Sequence, residues 1–355
     1  MMFFDAHLDL AMNAIEWNRD LTRPLSDIRQ REAHLQDKPD RGRGTVCLPE
    51  LRRGGFQLVV GTQIARVEHN AYSPVFGWSS PAQAWAMTQA QRAWYRAMEE
   101  AGEMTLVHDR ASLDRVLAQP SSPHTPSPVG LILSLEGADS LVTLAHLERS
   151  YADGLRAIGP AHYGPGVYAN GTNATGGFNA RGRELLREIE RLGLILDVTH
   201  LCDDCFHEAL DLFHGTLWAS HHNSRTLVPH DRQLSDEMIR LLVQRQAVIG
   251  VALDAWMLVP GWVRGQTTPA SSGVRLTHVA DHIDHVCQIA GNAQHVGIGS
   301  DLDGAFGTEQ TPGDLDTIAD LARLPDILRS RGYSDADLEA IASGNLLRTL
   351  RRAWK

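Results

Sequence analysis

The chain has 355 residues, of which 43% are hydrophobic and 21% charged, and a formal net charge of −10. That length can bury a large core, and an acidic balance with no basic patch argues against nucleic acid or an anionic membrane surface as a main partner. No run approaches the ~18 apolar residues of a membrane span, and the N-terminus lacks a basic region followed by an apolar stretch and a small-residue cleavage site, so a cytoplasmic location is expected.

Short apolar runs alternate with amphipathic stretches along the chain. The first, Met2–Ala6, leads into His7-Leu8-Asp9, an imidazole and a carboxylate two residues apart, which would share one face of an extended strand. The next runs are Phe56–Gln63, Gly130–Leu135, Leu155–Ala161, Leu194–Val198, Leu217–Ser220, Ala247–Leu253 and Val296–Ser300. Their continuous apolar character suits parallel strands buried on both faces. Between them Pro81–Glu103, Ala180–Leu192, Asp203–Leu212, Ser235–Arg245 and Leu276–Ala290 carry helical patterns, and Ser334-Asp-Ala-Asp337 reads as a helix start before Leu338–Trp354. Gln119–Pro128, rich in Pro and Ser, and Tyr163–Phe178, rich in Gly and Asn, read as loops. Eight strands alternating with helices predict an α/β fold, a (β/α)8 TIM barrel, with chemistry at the C-terminal ends of the strands. No repeat or linker divides the chain, so one catalytic domain over residues 1–355 is expected.

Carboxylates and imidazoles gather at those strand ends: His7 and Asp9, then Glu136, His162, His200, His221 with His222, and Asp301 with Asp303. Six of the eight predicted strands end this way, which scattered structural histidines would not do. The set has the parts of a two-metal hydrolytic site. One cation would take His7 and Asp9, the other His200 and His221, with Glu136 bridging and a shared hydroxide between them. Mixed imidazole and carboxylate ligation suits Zn²⁺, with Mn²⁺, Co²⁺ and Fe²⁺ as alternatives. Asp301 would move the proton from the water to the leaving amine.

These motifs are ordered along the chain as Asp5-Ala-His7-Leu-Asp9-Leu10, Ser134-Leu-Glu136-Gly137, Gly193–His200, Ser220-His221-His222-Asn223-Ser-Arg225, Gly297–Gly304 and Ser343-Gly-Asn345-Leu-Leu-Arg348. In this the chain resembles the membrane dipeptidase (renal dipeptidase) family, the M19 metallopeptidases of the amidohydrolase superfamily. The resemblance implies a zinc-dependent dipeptidase on a (β/α)8 barrel with two zinc ions per chain bridged by Glu136. It implies that Asp301 handles the proton, that His162 helps hold the substrate and the tetrahedral intermediate, and that Arg232 grips the C-terminal carboxylate of a small dipeptide. It also implies a homodimer. The chain departs from the family where Ser220-His221-His222-Asn223 stands for Ser-His-Ser-Asn, in Pro160-Ala161-His162, and in the loop Tyr163–Phe178. The register chooses His221, and strand alternation turns His222 to the other face. The alternatives are an amidohydrolase acting on an N-acyl amino acid or a lactam, and a non-catalytic metal-binding barrel.

Other features read as structural. Cys202-Asp-Asp-Cys205 has no second CxxC partner, and four cysteines are too few for a disulfide scaffold. His278, His282 and His285, on the helix before the last strand, are expected on a solvated outer face. Asn170-Gly-Thr172 and Asn173-Ala-Thr175 are expected to serve turns. Asp197 reads as a group that supports the ligands or the structure and not as a ligand itself, whereas Asp303 could share Asp301's face by alternation, and the motif register chooses Asp301. Trp256, Met257 and Trp262 fit either a side-chain pocket or loop packing.

Overall fold

The structure, a computed structural model, describes residues 1–68, 77–119 and 127–354. Its parallel strands are β1 (Phe3–Leu8), β2 (Phe56–Ile64), β3 (Met104–Leu106), β4 (Val129–Glu136), β5 (Leu155–Gly159), β6 (Ile195–Asp197), β7 (Leu217–Trp218), β8 (Ile249–Val251) and β9 (Val296–Ile298). Eight of them run in the order β7-β6-β5-β4-β2-β1-β9-β8, and a parallel bridge between Ala219 and Ile249 joins the two ends into a nearly closed barrel. All eight predicted strands are there. The additional β3 pairs only with β4; three residues are too few to establish a period in the sequence.

The apolar runs form strands because both faces are covered. Every residue of β1 and of β4 is buried. One set of side chains, Phe4, Ala6, Leu58, Val60, Ile132, Ala157, Ile195, Trp218 and Val248, packs together and against Leu346 and Leu350 of the C-terminal helix and Trp354 just after it. The alternate set, including Leu8, Val59, Leu131, Leu133 and Leu196, joins the larger cluster with the surrounding helices. At the seam the backbones lie unusually close: a Cβ on Gly250 or Gly299 would sit 1.9 or 1.7 Å from the Ser220 carbonyl oxygen. Glycine is what lets this side of the barrel approach closure.

The predicted helices appear as Pro81–Glu100, Ala180–Leu192, Asp203–Leu212, Asp236–Gln244 and Leu276–Ala290. The tail expected as one helix is divided by a π-turn at Ala340–Gly344 into Asp335–Glu339 and Asn345–Ala353. Asn345 sits at that break and donates to the carbonyls of Ala293 (2.7 Å) and Val296 (2.8 Å), which ties the tail to β9. Residues 120–126 of the predicted connection Gln119–Pro128 lie outside the described residues. Among the described residues no helix is long and apolar enough to cross a membrane.

Candidate active site

The convergence of His7 and Asp9 does not come from strand alternation. The β1–β2 register shifts between Asp5 and Leu8, so Ala6 belongs to the inner cluster and Leu8 to the outer one. Asp9 lies beyond the strand and opens the helix Leu10–Ile15. Its carboxylate accepts a short hydrogen bond from the Thr62 hydroxyl. His7 Nε2 then lies 3.9 Å from Asp9 Oδ1, 3.5 Å from Glu136 Oε2 and 3.8 Å from Asp301 Oδ1.

Glu136, the last residue of β4, divides its oxygens. Oε2 faces His7, whereas Oε1 lies 3.2 Å from His200 Nε2 and 3.4 Å from His221 Nε2. The two Nε2 atoms are themselves 3.2 Å apart. Ligand atoms on a tetrahedral zinc with bonds near 2.0–2.1 Å stand roughly 3.3 Å apart, so this triangle has the spacing of a shared cation. Hydroxyls stand behind the two imidazoles. His200 Nδ1 is 3.0 Å from Thr172 Oγ1, and His221 Nδ1 is 2.9 Å from Ser220 Oγ. Each hydroxyl can accept the Nδ1 proton and leave the Nε2 lone pair facing inward. His7 Nε2 is buried with no hydrogen-bond partner among the described residues. The residues present therefore fit divalent metal ions.

The electrostatics agree with that fit. Burial opposes a charge on His7, yet Glu136, Asp9 and Asp301 together lift it to about 10. Burial and the neighbouring Glu136 raise Asp9 to about 6. Glu136 stays well below the usual carboxylate range because His7, His162 and the hydrogen bonds from His200 and His221 overcome its burial. Burial, reinforced by Asp9, Glu136 and Asp254 against the pull of His7, pushes Asp301 well above that range. So many carboxylates in one dry site demand positive charge.

Asp301 and His162 are the more open members, with side chains 16% and 18% exposed, and both line a cavity of about 420 Å³. His200 and Asp301 hold left-handed backbones, with φ of 68° and 56°. Such residues cost of order 1 kcal/mol or more and persist where the surroundings over-determine them. Asp303, at φ 61°, shows the consequence. Alternation fails in this turn, and its carboxylate points away to accept from Thr45 N (2.7 Å), Thr45 Oγ1 (2.6 Å) and Val46 N (3.0 Å). Asp303 does not share Asp301's face. Asp197 accepts from the backbone N–H of Thr199 and of Ser220, both at 3.0 Å, bracing the two turns that carry His200 and His221.

Arg232 is buried in the cavity wall. One guanidinium nitrogen donates to the His221 carbonyl (3.0 Å), and the other, Nη1, has no partner among the described residues. His222 is buried and outside the ligand clusters. The loop Tyr163–Phe178 folds back on itself through Gly164–Thr172 and Thr172–His162 backbone bonds, and thereby delivers Thr172 to His200. A Cβ on Gly171 would lie 1.8 Å from the His162 oxygen, so that turn requires glycine. Asn170 donates to the carbonyls of Gly176 and Gly177, the turn role expected of it. Trp256 and Met257 line the cavity, whereas Trp262 packs on the core.

Two strands lacking a carboxylate or imidazole in the predicted set also contribute. Arg66 follows β2 and Asp254 follows β8, and both line the cavity. The strand-end rule would have found them had it been applied to every strand and to arginine. Asp254, raised to about 6 by burial, accepts from Gln310, Trp256 and Arg264. A second cavity of about 290 Å³ continues past Met12, Ile64 and Arg66 to Glu16, Lys38 and Met87.

The helix before β9 corrects one expectation. His282 is buried, not solvated; its Nδ1 accepts from Ser224 N (3.1 Å) and its Nε2 faces the Leu258 carbonyl (3.4 Å). His278 caps its helix through Arg275 N, and His285 pairs with Asp236 at 2.7 Å. Cys202 and Cys205 are free, buried thiols that both donate to the Gly176 carbonyl.

Comparison with known proteins places the chain. A family model described as membrane dipeptidase (peptidase family M19) matches residues 1–355. A Klebsiella pneumoniae protein named for the 5′ region of pqqA is 32% identical over 217 residues, 59% of this chain and 76% of that one. Dipeptidase tcpJ of Claviceps purpurea is 28% identical over 214 residues, 59% of this chain but only 44% of its own length. Among solved structures, a dipeptidase of family M19 superposes with a TM-score of 0.77 at 23% identity, covering 100% of this chain and 99% of that one. A Rhodobacter sphaeroides metallopeptidase, solved with a phosphinate mimic of L-Ala-D-Ala, gives 0.76 at 23% identity over 100% and 99% of the two chains. These likenesses carry the fold, and the family match across the full length carries the membership: this chain belongs to the membrane dipeptidase family, peptidase family M19.

Proposed function

We propose that this protein is a zinc-dependent dipeptidase whose two metal ions share Glu136. The observation that carries the reading is the division of the Glu136 oxygens, one toward His7 and one toward His200 and His221. His7 and Asp9 would hold one ion and His200 and His221 the other. When bound, the pair supplies an activated water and polarises the scissile carbonyl.

The chain's own residues do the rest. Asp301, which lines the cavity 3.8 Å from His7, takes the proton of the attacking water and passes it to the leaving amine. His162 donates to the oxygen of the tetrahedral intermediate. The unpartnered Nη1 of Arg232 binds the substrate's terminal carboxylate, a task suited to a guanidinium. A fixed cation for that carboxylate limits the substrate to two residues, so longer peptides should be poor substrates.

The test is hydrolysis of a mixed L-L and L-D dipeptide library by zinc-reconstituted protein, each reaction paired with a chelated control. Metal-dependent cleavage of dipeptides is the expected result. Cleavage confined to N-acyl amino acids or lactams would overturn the dipeptidase reading in favour of a wider amidohydrolase activity.

A further inference from the structure

The imidazoles at the site are not equivalent, and what stands behind each ring separates them. Behind His200 and His221 stand the hydroxyls of Thr172 and Ser220, groups that can accept a proton. Behind His162 stands a guanidinium: Arg66 Nη1 lies 3.3 Å from His162 Nδ1. Arginine has five N–H donors and no acceptor, and it stays protonated in proteins. In that contact Nδ1 must therefore be the acceptor, without a proton of its own.

The consequence bears on a real ambiguity. His162 Nε2 lies 3.9 Å from Glu136 Oε1, and Glu136, His162 and His200 are close enough together to hold an ion by themselves. Nothing in those distances says whether His162 is a ligand. The Arg66 contact does. With Nδ1 accepting from arginine, a neutral ring carries its proton on Nε2, and an N–H cannot ligate a cation. Coordination through Nε2 would require both nitrogens to be stripped, giving an imidazolate wedged between a metal and a guanidinium.

We infer that Arg66 is a positioning residue that locks His162 in the Nε2–H tautomer, which keeps the ring out of the metal shell and presents one N–H to the substrate's developing oxyanion. This rests on the dipeptidase reading for the identity of the oxyanion, though not for the tautomer. Arg66 is itself held in place. It lies two residues past the end of β2, its carbonyl accepts from Trp78 N (2.8 Å), and its guanidinium forms an ion pair with Glu68. The His162 ring packs between Tyr163 and His200, with centroids at 4.9 and 4.3 Å, which limits its rotation.

The test is long-range ¹H–¹⁵N correlation of the histidine rings in ¹⁵N-labelled, zinc-loaded protein, with His162 assigned by the signal lost in His162→Gln. The expected wild-type pattern is an unprotonated Nδ1 and a protonated Nε2 free of metal. Arg66→Met should redistribute the proton toward Nδ1. It should also lower kcat for a dipeptide by ~10-fold or more, because an oxyanion donor is worth about 10²–10³, while KM stays within about two-fold and zinc content is unchanged. Arg66→Lys, which keeps a donor, should restore most of the tautomer and of kcat. A wild-type His162 protonated on Nδ1 or metal-bound at Nε2 overturns the inference. So does an Arg66→Met that raises KM alone, since Arg66 would then be gripping substrate. The wild-type spectrum decides even if Arg66→Met fails to fold. Inertness toward every dipeptide, with the expected tautomer in place, would instead refute the proposed function and leave the Arg66–His162 assignment standing.

Discussion

Replacing Glu136 by glutamine tests the two-metal reading most directly, because it preserves shape and removes the shared charge. The carboxylate now offers one oxygen to His7 and the other to His200 and His221, at 3.2–3.5 Å. An amide has one oxygen and one NH₂. Whichever way it turns, its NH₂ faces one cluster, where a donor opposes a cation and an anionic ligand is missing. One ion should therefore be lost in preference to the other, and zinc per chain after gel filtration should fall from two toward one. Losing one of two Lewis acids removes several kcal/mol of transition-state stabilisation. At 1.36 kcal/mol per decade, about 4 kcal/mol lowers kcat by roughly 10³-fold. Metal analysis, circular dichroism and steady-state rates on one dipeptide make the assay. A folded Glu136→Gln enzyme that keeps two zinc ions and near-wild-type kcat would refute the bridging role.

Three further outcomes are expected. Thr172→Val removes the group behind His200 Nδ1 and should weaken zinc binding by about 10–100-fold, the usual cost of losing such a partner, measured by competition with a chromophoric chelator. Arg232→Met should raise KM for dipeptides by at least ~10-fold, while hydrolysis of a dipeptide amide, which lacks the carboxylate, changes little; equal losses on both substrates would argue against the carboxylate grip. His282 gives a pH signature in stability. Burial depresses its folded value to about 4 from an ordinary 6.5, so between those values the unfolded state binds a proton that the folded state refuses, and stability falls as pH drops. The loss attributable to His282 is about 2 kcal/mol by pH 5. Denaturant melts at pH 7.5 and 5 should show that slope in wild type and a shallower one in His282→Gln; identical slopes would place the titration elsewhere.

Much of this molecule is determined locally. An apolar run that must be covered on both faces can only become a buried parallel strand, so eight such runs separated by helical patterns suffice for the barrel, and the strand C-terminal ends mark where the chemistry gathers. Glu136, His200, His221 and Asp301 were legible on those grounds. What the sequence could not supply depends on contacts between residues far apart in the chain. The β1 register shift and the left-handed turns at His200 and Asp301 break the period-2 rule that put Asp303 beside Asp301. His282 was expected on a solvated face, and the fold instead buries it where it meets the Ser224 N–H and the Leu258 carbonyl. Thr172 reaches His200 across 28 residues, and Arg66 meets His162 across 96. Residue types along the chain determined which groups could ligate or catalyse. Only the folded contacts decided which nitrogen of His200 and of His162 faces inward, because a tautomer is set by the partner behind the ring, and those partners, Thr172 and Arg66, come from other parts of the chain.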